Sequence, residues 1–309
     1  MERGPKLLQT AFLIAFFGLI LSSCAPKSEE RRQQYAKEFY TEGLREYRKG
    51  DYKEAKAKFE KALSYLEQLT PEQIKEVKFL LVKSAFLAKN YVDAVVYAED
   101  FLSNYPGSPE AEEVFSILVI SLVKVAPDPY RDQTYTIEAI SRAKEFLEKY
   151  PNSRFRGKVE EAIDEARRKL AYHYYYIAKF YEDYGYPYNA AVRYREVLIN
   201  FPDYFSDERI TYAYLKNLLL TPKQVKEEKE KIQRLIEKAQ ENLRKVKSEE
   251  EKLAIKNRIE FLKKEIERWE RIKEEALKEA EEGLKKYKEV YGETLLYKEL
   301  LKLRERWRS

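Results

Sequence analysis

The chain has 309 residues, with 59 basic and 54 acidic side chains for a net charge of +5, and 37% of its positions are charged. With only 9 Gly and 11 Pro, it has few helix breakers, and this composition predicts long helices with much exposed surface rather than a compact single-core enzyme. One histidine, His173, and one cysteine, Cys24, exclude a zinc site, a Cys/His nucleophile pair and a disulfide framework, and the near-balanced charge argues against nucleic acid as a partner.

The N-terminus comes first in chain order. Arg3 and Lys6 precede a mostly apolar run over residues 7–21, which ends at Leu21-Ser22-Ser23-Cys24. The run is shorter than the ~20 residues a transmembrane helix requires and contains Gln9 and Thr10. The ending resembles the lipobox of bacterial lipoproteins. That resemblance implies that residues 1–23 are a cleaved signal peptide, that Cys24 carries covalent lipid, and that the protein needs no other cofactor. Ala25 follows the cysteine where lipoproteins kept in the inner membrane often carry Asp, so the implied destination is the periplasmic face of the outer membrane. Residues 24–35 are polar and lack helical periodicity, and they read as a lipidated flexible leash.

A helical repeat is expected over residues 36–222. Gly43, the turn Gly50-Asp51-Tyr52, then Ala55, Phe59 and Ala62 fall at tetratricopeptide (TPR) spacings. The same grammar returns at Ala94 and Ala98 before Tyr105-Pro106, at Ala139 and Ala143 before Tyr150-Pro151, and at Ala190 and Tyr194 before Phe201-Pro202. Small residues let paired helices approach closely, and each proline, which lacks an amide hydrogen and restricts its predecessor, ends a helix. The expected fold is therefore all-α, a TPR α-solenoid of about five helix pairs. A proline-bearing insertion over residues 126–133 interrupts the third pair, and a fifth pair begins near residue 207.

Residues 223–309 change character, with 26 Lys or Arg and 21 Asp or Glu. Ile232, Ile236, Ala239, Leu243 and Val246 step by four and three, and Ile255, Ile259, Leu262, Ile266 and Trp269 repeat the steps, as in a coiled-coil seam. Ser248 with Glu251 opens the second helix as a capping box. A charged antiparallel hairpin with its turn near Lys247 is expected. Beyond Gly292, a short amphipathic helix carries Leu296, Leu300, Leu303 and Trp307 and caps the array or docks a partner. The repeat pattern is self-contained, so the repeats are expected to fold without this extension.

From Cys24 to about Leu220 the chain resembles the BamD-like outer-membrane lipoproteins of the β-barrel assembly machinery. The likeness rests on the lipobox, the phrases FYTEGLREYRKGDYKEAKAKFEKAL and AEDFLSNYPGSP, the Arg131-Asp132-Gln133 insertion, KEFLEKYPNSRF, and the block from Arg167 to Pro202 that holds His173, Ala190, Ala191 and Arg193. One position departs: the family commonly has Glu directly after the histidine, and here it is Tyr174. The resemblance implies a non-enzymatic scaffold that binds the BamA-like barrel-forming subunit and other assembly lipoproteins. It also implies that the scaffold receives unfolded outer-membrane proteins and meets the membrane through its lipid. It makes Arg131, Asp132 and Arg193 candidate partner contacts.

Repeat phase adds candidate peptide-groove residues: Tyr40, Leu44 and Tyr47 in the first pair, and Phe79, Lys83 and Phe86 in the second. An aromatic groove with a lysine suits a segment that offers aromatic side chains and a terminal carboxylate; each aromatic would serve equally well as packing between helices. Eight tyrosines between Tyr172 and Tyr188 read mainly as packing, and His173 among them reads as a hydrogen-bonded structural residue. The alternative of the same type is a TPR lipoprotein scaffold for pilus or secretin biogenesis. A peptidoglycan-acting enzyme is disfavoured, because every acidic cluster lies on a regular helix face.

Overall fold

The structure is a computed structural model; it describes the backbone of residues 6–205 and 207–307 and the side chains of residues 28–205 and 207–307. Among the described residues there is no strand, and the helices in chain order are α1 (Lys6–Lys49), α2 (Tyr52–Leu63), α3 (Pro71–Leu87), α4 (Tyr91–Asn104), α5 (Ala111–Val125), α6 (Thr134–Lys149), α7 (Arg156–Asp183), α8 (Pro187–Asn200), α9 (Glu208–Lys245), α10 (Glu249–Tyr291) and α11 (Leu295–Glu305). The first ten form five antiparallel pairs of TPR type, and α11 follows the last. The chain divides into two compact units, Met1–Pro127 with Thr134–Ala166, and Asp128–Gln133 with Arg167–Ser309.

Local chemistry sets the helix ends. Asp51 caps α2 by accepting the Glu54 amide at 3.1 Å, and Asn90 caps α4 in the same way at Asp93. The residue before each cap has a positive φ, 82° at Gly50 and 60° at Lys89, so the two turns share one backbone shape. At the other end of α4, α6 and α8 the predicted aromatic-Pro pairs act alike. The amides of Tyr105, Tyr150 and Phe201 bond Phe101, Phe146 and Val197 carbonyls at 2.8, 2.8 and 2.9 Å, and the following proline stops the ladder.

In the first unit the motif alanines are buried, with Ala55, Ala94, Ala98, Ala139 and Ala143 all at 1% exposure or less. Gly43 allows α1 to lie on α2: a Cβ there would stand 2.5 Å from the Phe59 ring. Phe59 then fills the space toward Val77 and Leu81 of α3. Phe101, Leu118, Leu122 and Phe146 belong to a second cluster of buried side chains across α4, α5 and α6.

In the second unit Ala171, Ala178, Ala190 and Tyr194 join α7 to α8. Beyond them, Leu215, Leu218 and Leu219 of α9 pack with Ala276, Ala280, Leu284 and Tyr287 of α10 and with Tyr297 and Leu300 of α11. The expected hairpin is present: α9 ends at Lys245, α10 starts at Glu249 behind the Ser248 cap, and Ile232 and Ile236 meet Ile259 and Leu262. At 43 residues α10 is ~64 Å long, and its second half returns along α9. Tyr287 and Tyr212 fasten it and α11 by donating to Glu208 at 2.6 Å and to Glu299 at 2.8 Å.

Three expectations change. Residues 28–35 are helical and exposed, continuous with α1, not a flexible leash. Their Glu, Arg and Gln are good helix formers and need no apolar stripe when a packed helix follows. The boundary expected between residues 222 and 223 falls inside α9, which runs on through Pro222. Pro222 is buried, and next to it Thr221 Oγ1 bonds the Asn217 carbonyl at 3.0 Å. The repeat region also shares a core with the extension, because α10 and α11 supply six of the ten buried residues around Leu215.

Candidate functional site

The A helices α1, α3 and α5 and the start of α7 line one open cleft of about 290 Å³ within the first unit. Its floor is apolar, made by Phe86 and Leu87 of α3, Ile117 and Ile120 of α5, and Phe155 just before α7. Tyr47, Lys83, Glu113, Ser116 and Lys158 supply the polar atoms. Concave, mostly apolar walls with a few placed polar groups are the ordinary make-up of a ligand site.

Lys83 is central. Its Nζ lies 2.8 Å from Glu113 Oε1 and 5.1 Å from the centroid of the Phe79 ring. Burial works against the Lys83 ammonium, but bonds to Glu113 and Tyr47 outweigh it, so its pKa stands above the usual lysine value and the group stays charged. Burial pushes the Tyr47 phenol above its ordinary range, against the pull of Lys83.

Of the six groove residues expected from repeat phase, the cleft gathers Tyr47, Lys83 and Phe86. Tyr40 and Leu44 pack against the core of the first two pairs, and the Tyr40 hydroxyl donates to Glu76 at 2.5 Å. Phe79 packs against Phe101 with ring centroids 6.1 Å apart. These three stand outside the cleft lining. What sequence reasoning missed is the contribution of α5. Glu113, Ser116, Ile117 and Ile120 fall at i, i+3, i+4 and i+7, a face that was readable but hidden in a helix that is apolar nearly all round.

The other candidates lie in the second unit. Arg131 and Asp132 are exposed on the insertion, where the Arg131 amide closes a turn onto Asp128 at 3.0 Å. Gln133 is buried and donates to the Asp128 and Arg131 carbonyls at 2.9 and 3.1 Å, which fixes the loop. Arg193, half-buried on α8, holds Glu196 one turn away at 2.8 Å. His173 Nδ1 lies 2.6 Å from the Pro129 carbonyl, the structural role expected of it. The tyrosines divide: Tyr174, Tyr175 and Tyr181 pack against the α7–α8 core, whereas Tyr172, Tyr176 and Tyr184 are exposed. The side chain of Cys24 lies outside the described residues.

Helix pairs of this kind, with a cleft lined by A helices, define a tetratricopeptide-type repeat protein. Residues 32–232 match the YfiO outer membrane lipoprotein family, and the chain belongs to that family. It is 73% identical, over the full length of both chains, to the putative outer membrane protein assembly factor BamD of Aquifex aeolicus (strain VF5). It is 22% identical over 216 residues, 70% of this chain and 85% of the relative, to the outer membrane protein assembly factor BamD of Rickettsia prowazekii (strain Madrid E). Among solved structures, a thermophilic TPR protein of Thermus thermophilus matches at 20% identity and a TM-score of 0.31, covering 60% of this chain and 99% of that one.

Proposed function

We propose that this protein is a lipid-anchored scaffold of the outer-membrane β-barrel assembly machinery, held on the periplasmic face of the outer membrane through Cys24. It binds the barrel-forming subunit, joins other assembly lipoproteins, and receives unfolded outer-membrane proteins. The observation that carries this reading is the 73% identity, along the whole chain, to a putative outer membrane protein assembly factor. The cleft supports the client part of it. Phe86, Ile117, Ile120 and Phe155 offer an apolar seat for an aromatic side chain, and Lys83 and Lys158 stand beside it as cations for a chain-terminal carboxylate. Arg131 and Asp132, on their braced loop, are the residues offered to the barrel subunit, together with Arg193. The role is binding, without catalysis.

Copurification of the tagged full-length protein from gently solubilised native envelopes tests the reading. Stoichiometric recovery of a large β-barrel protein with periplasmic repeat domains is expected. Recovery of pilus or secretin components in its place would overturn it.

A further inference from the structure

The cleft already holds a carboxylate of its own. Glu113 stands on α5 with one oxygen 2.8 Å from Lys83 Nζ and the other 3.5 Å from Arg154 Nη2. The Lys83 and Glu113 side chains are 25% and 21% exposed, so the pair is shielded and holds more firmly than an ion pair on open surface. Arg154 differs, being 77% exposed. Lys158 lines the same cleft with no carboxylate partner among the described residues.

Any anion that seeks Lys83 meets Glu113 first. Two carboxylates can share one ammonium only at the cost of their mutual repulsion, so an incoming carboxylate favours a swap of partners. The geometry provides for one. When Lys83 turns to a ligand, Glu113 keeps Arg154, which already faces its second oxygen, so neither Lys83 nor Glu113 is left without a counter-ion.

We propose that Glu113 is a built-in competitor for the terminal carboxylate of a bound segment: it holds Lys83 in the free protein and passes to Arg154 when the segment binds. This rests on the reading of the cleft as a client site and adds its selectivity device. Stray anions without an aromatic group cannot displace Glu113, because they gain nothing from the floor of Phe86, Ile117, Ile120 and Phe155. A segment that brings an aromatic side chain and a free carboxylate together gains both.

The test uses the full lipidated protein in detergent and a ten-residue peptide ending in Phe, as the free acid and as the C-terminal amide, with affinities read by titration calorimetry. For Glu113→Gln, affinity for the acid is expected to rise about three- to tenfold, the size of a partly shielded ion pair released, while affinity for the amide stays unchanged. For Arg154→Ala, affinity for the acid is expected to fall and that for the amide to hold. Equal changes for acid and amide, or no change in either variant, would overturn the competitor role and leave the client site standing. Failure of the wild type and both variants to bind either peptide would overturn the client site, and the competitor with it. Arg154 is exposed, so its variant decides the matter even if Glu113→Gln is poorly folded.

Discussion

Gly283 of α10 lies so close to Leu215 of α9 that a Cβ on the glycine would stand 2.3 Å from Leu215 Cδ2. The contact sits in the core shared by the fifth helix pair, where Leu215 is 1% exposed. Gly283→Ala gains about 1 kcal/mol of helix propensity but overpacks the seam by about 1–3 kcal/mol. The expected outcome is a net loss of about 1 kcal/mol and a lower urea midpoint by circular dichroism. The same substitution at Gly107, where a Cβ meets nothing within 4 Å, tests whether the loss belongs to the contact. A Gly283→Ala protein as stable as wild type would show that α10 rides loosely on α9.

The shared core also fixes what truncation does. Without residues 249–309, Leu215, Leu218 and Leu219 lose Ala276, Ala280, Leu284, Tyr287 and Leu300 and face water. Exposing large side chains of this kind costs about 1.5–3 kcal/mol each, comparable in sum to the stability of a domain. A chain ending at Ser248 is therefore expected to bind a hydrophobic dye, to self-associate in size-exclusion chromatography, and to lose cooperative melting of its second unit. A monomeric truncation with an unchanged melt would mean that the repeats stand alone, as their sequence pattern suggests.

The contrast between these two views marks what the sequence makes legible. Ala94, Ala139 and Ala190, each twelve residues before a proline, announce three B helices, because close packing and chain termination are local demands written in single residue types. The hairpin is legible for a similar reason: Ile232 and Ile236 against Ile259 and Leu262 need only a 3–4 step. The joint of α10 with α9 is not. Ala276, Ala280 and Gly283 are too small to register as an apolar stripe among flanking Lys and Glu, and their meaning depends on Leu215, far away in the chain.

The candidate site was half legible for a related reason. Tyr40, Leu44 and Tyr47 occupy one stripe of α1, yet the first two are packed against the next pair and only Tyr47 reaches the cleft. Periodicity identifies the stripe. The depth at which each residue meets its neighbour is a tertiary property, and it decides between packing and lining.

Membrane attachment has its own test. The apolar run over residues 7–21 belongs to the part expected to be removed, and the proposed tether is acyl chains on Cys24. Each buried methylene contributes ~0.8 kcal/mol, so several chains hold firmly where one is marginal. Cys24→Ser is expected to release folded protein into the soluble periplasmic fraction after export. Protein that stays with washed envelopes after losing its signal would show that partners, and not lipid, are the main tether.

The final prediction concerns acid. Glu182 of α7 accepts bonds from Lys216 Nζ and the Tyr194 hydroxyl, both at 2.7 Å, and so ties α7 to α8 and α9. Burial raises its pKa, but the bonds from Lys216 and Tyr194 and the charges of Lys216 and Lys179 outweigh burial, so the carboxyl ionises below its usual value of 4.5. A carboxylate depressed on folding adds stability that is complete above its unfolded pKa and disappears as pH falls through the lower, folded one. The wild-type melting temperature should therefore fall as pH drops below about 4.5. Glu182→Gln removes that contribution. The variant is expected to melt lower than wild type at pH 7 and to converge on it as pH falls through the lowered pKa, as followed by calorimetry across the range. Curves that stay parallel at every pH would mean that Glu182 contributes through shape alone and that its bonds to Lys216 and Tyr194 carry no ionic part.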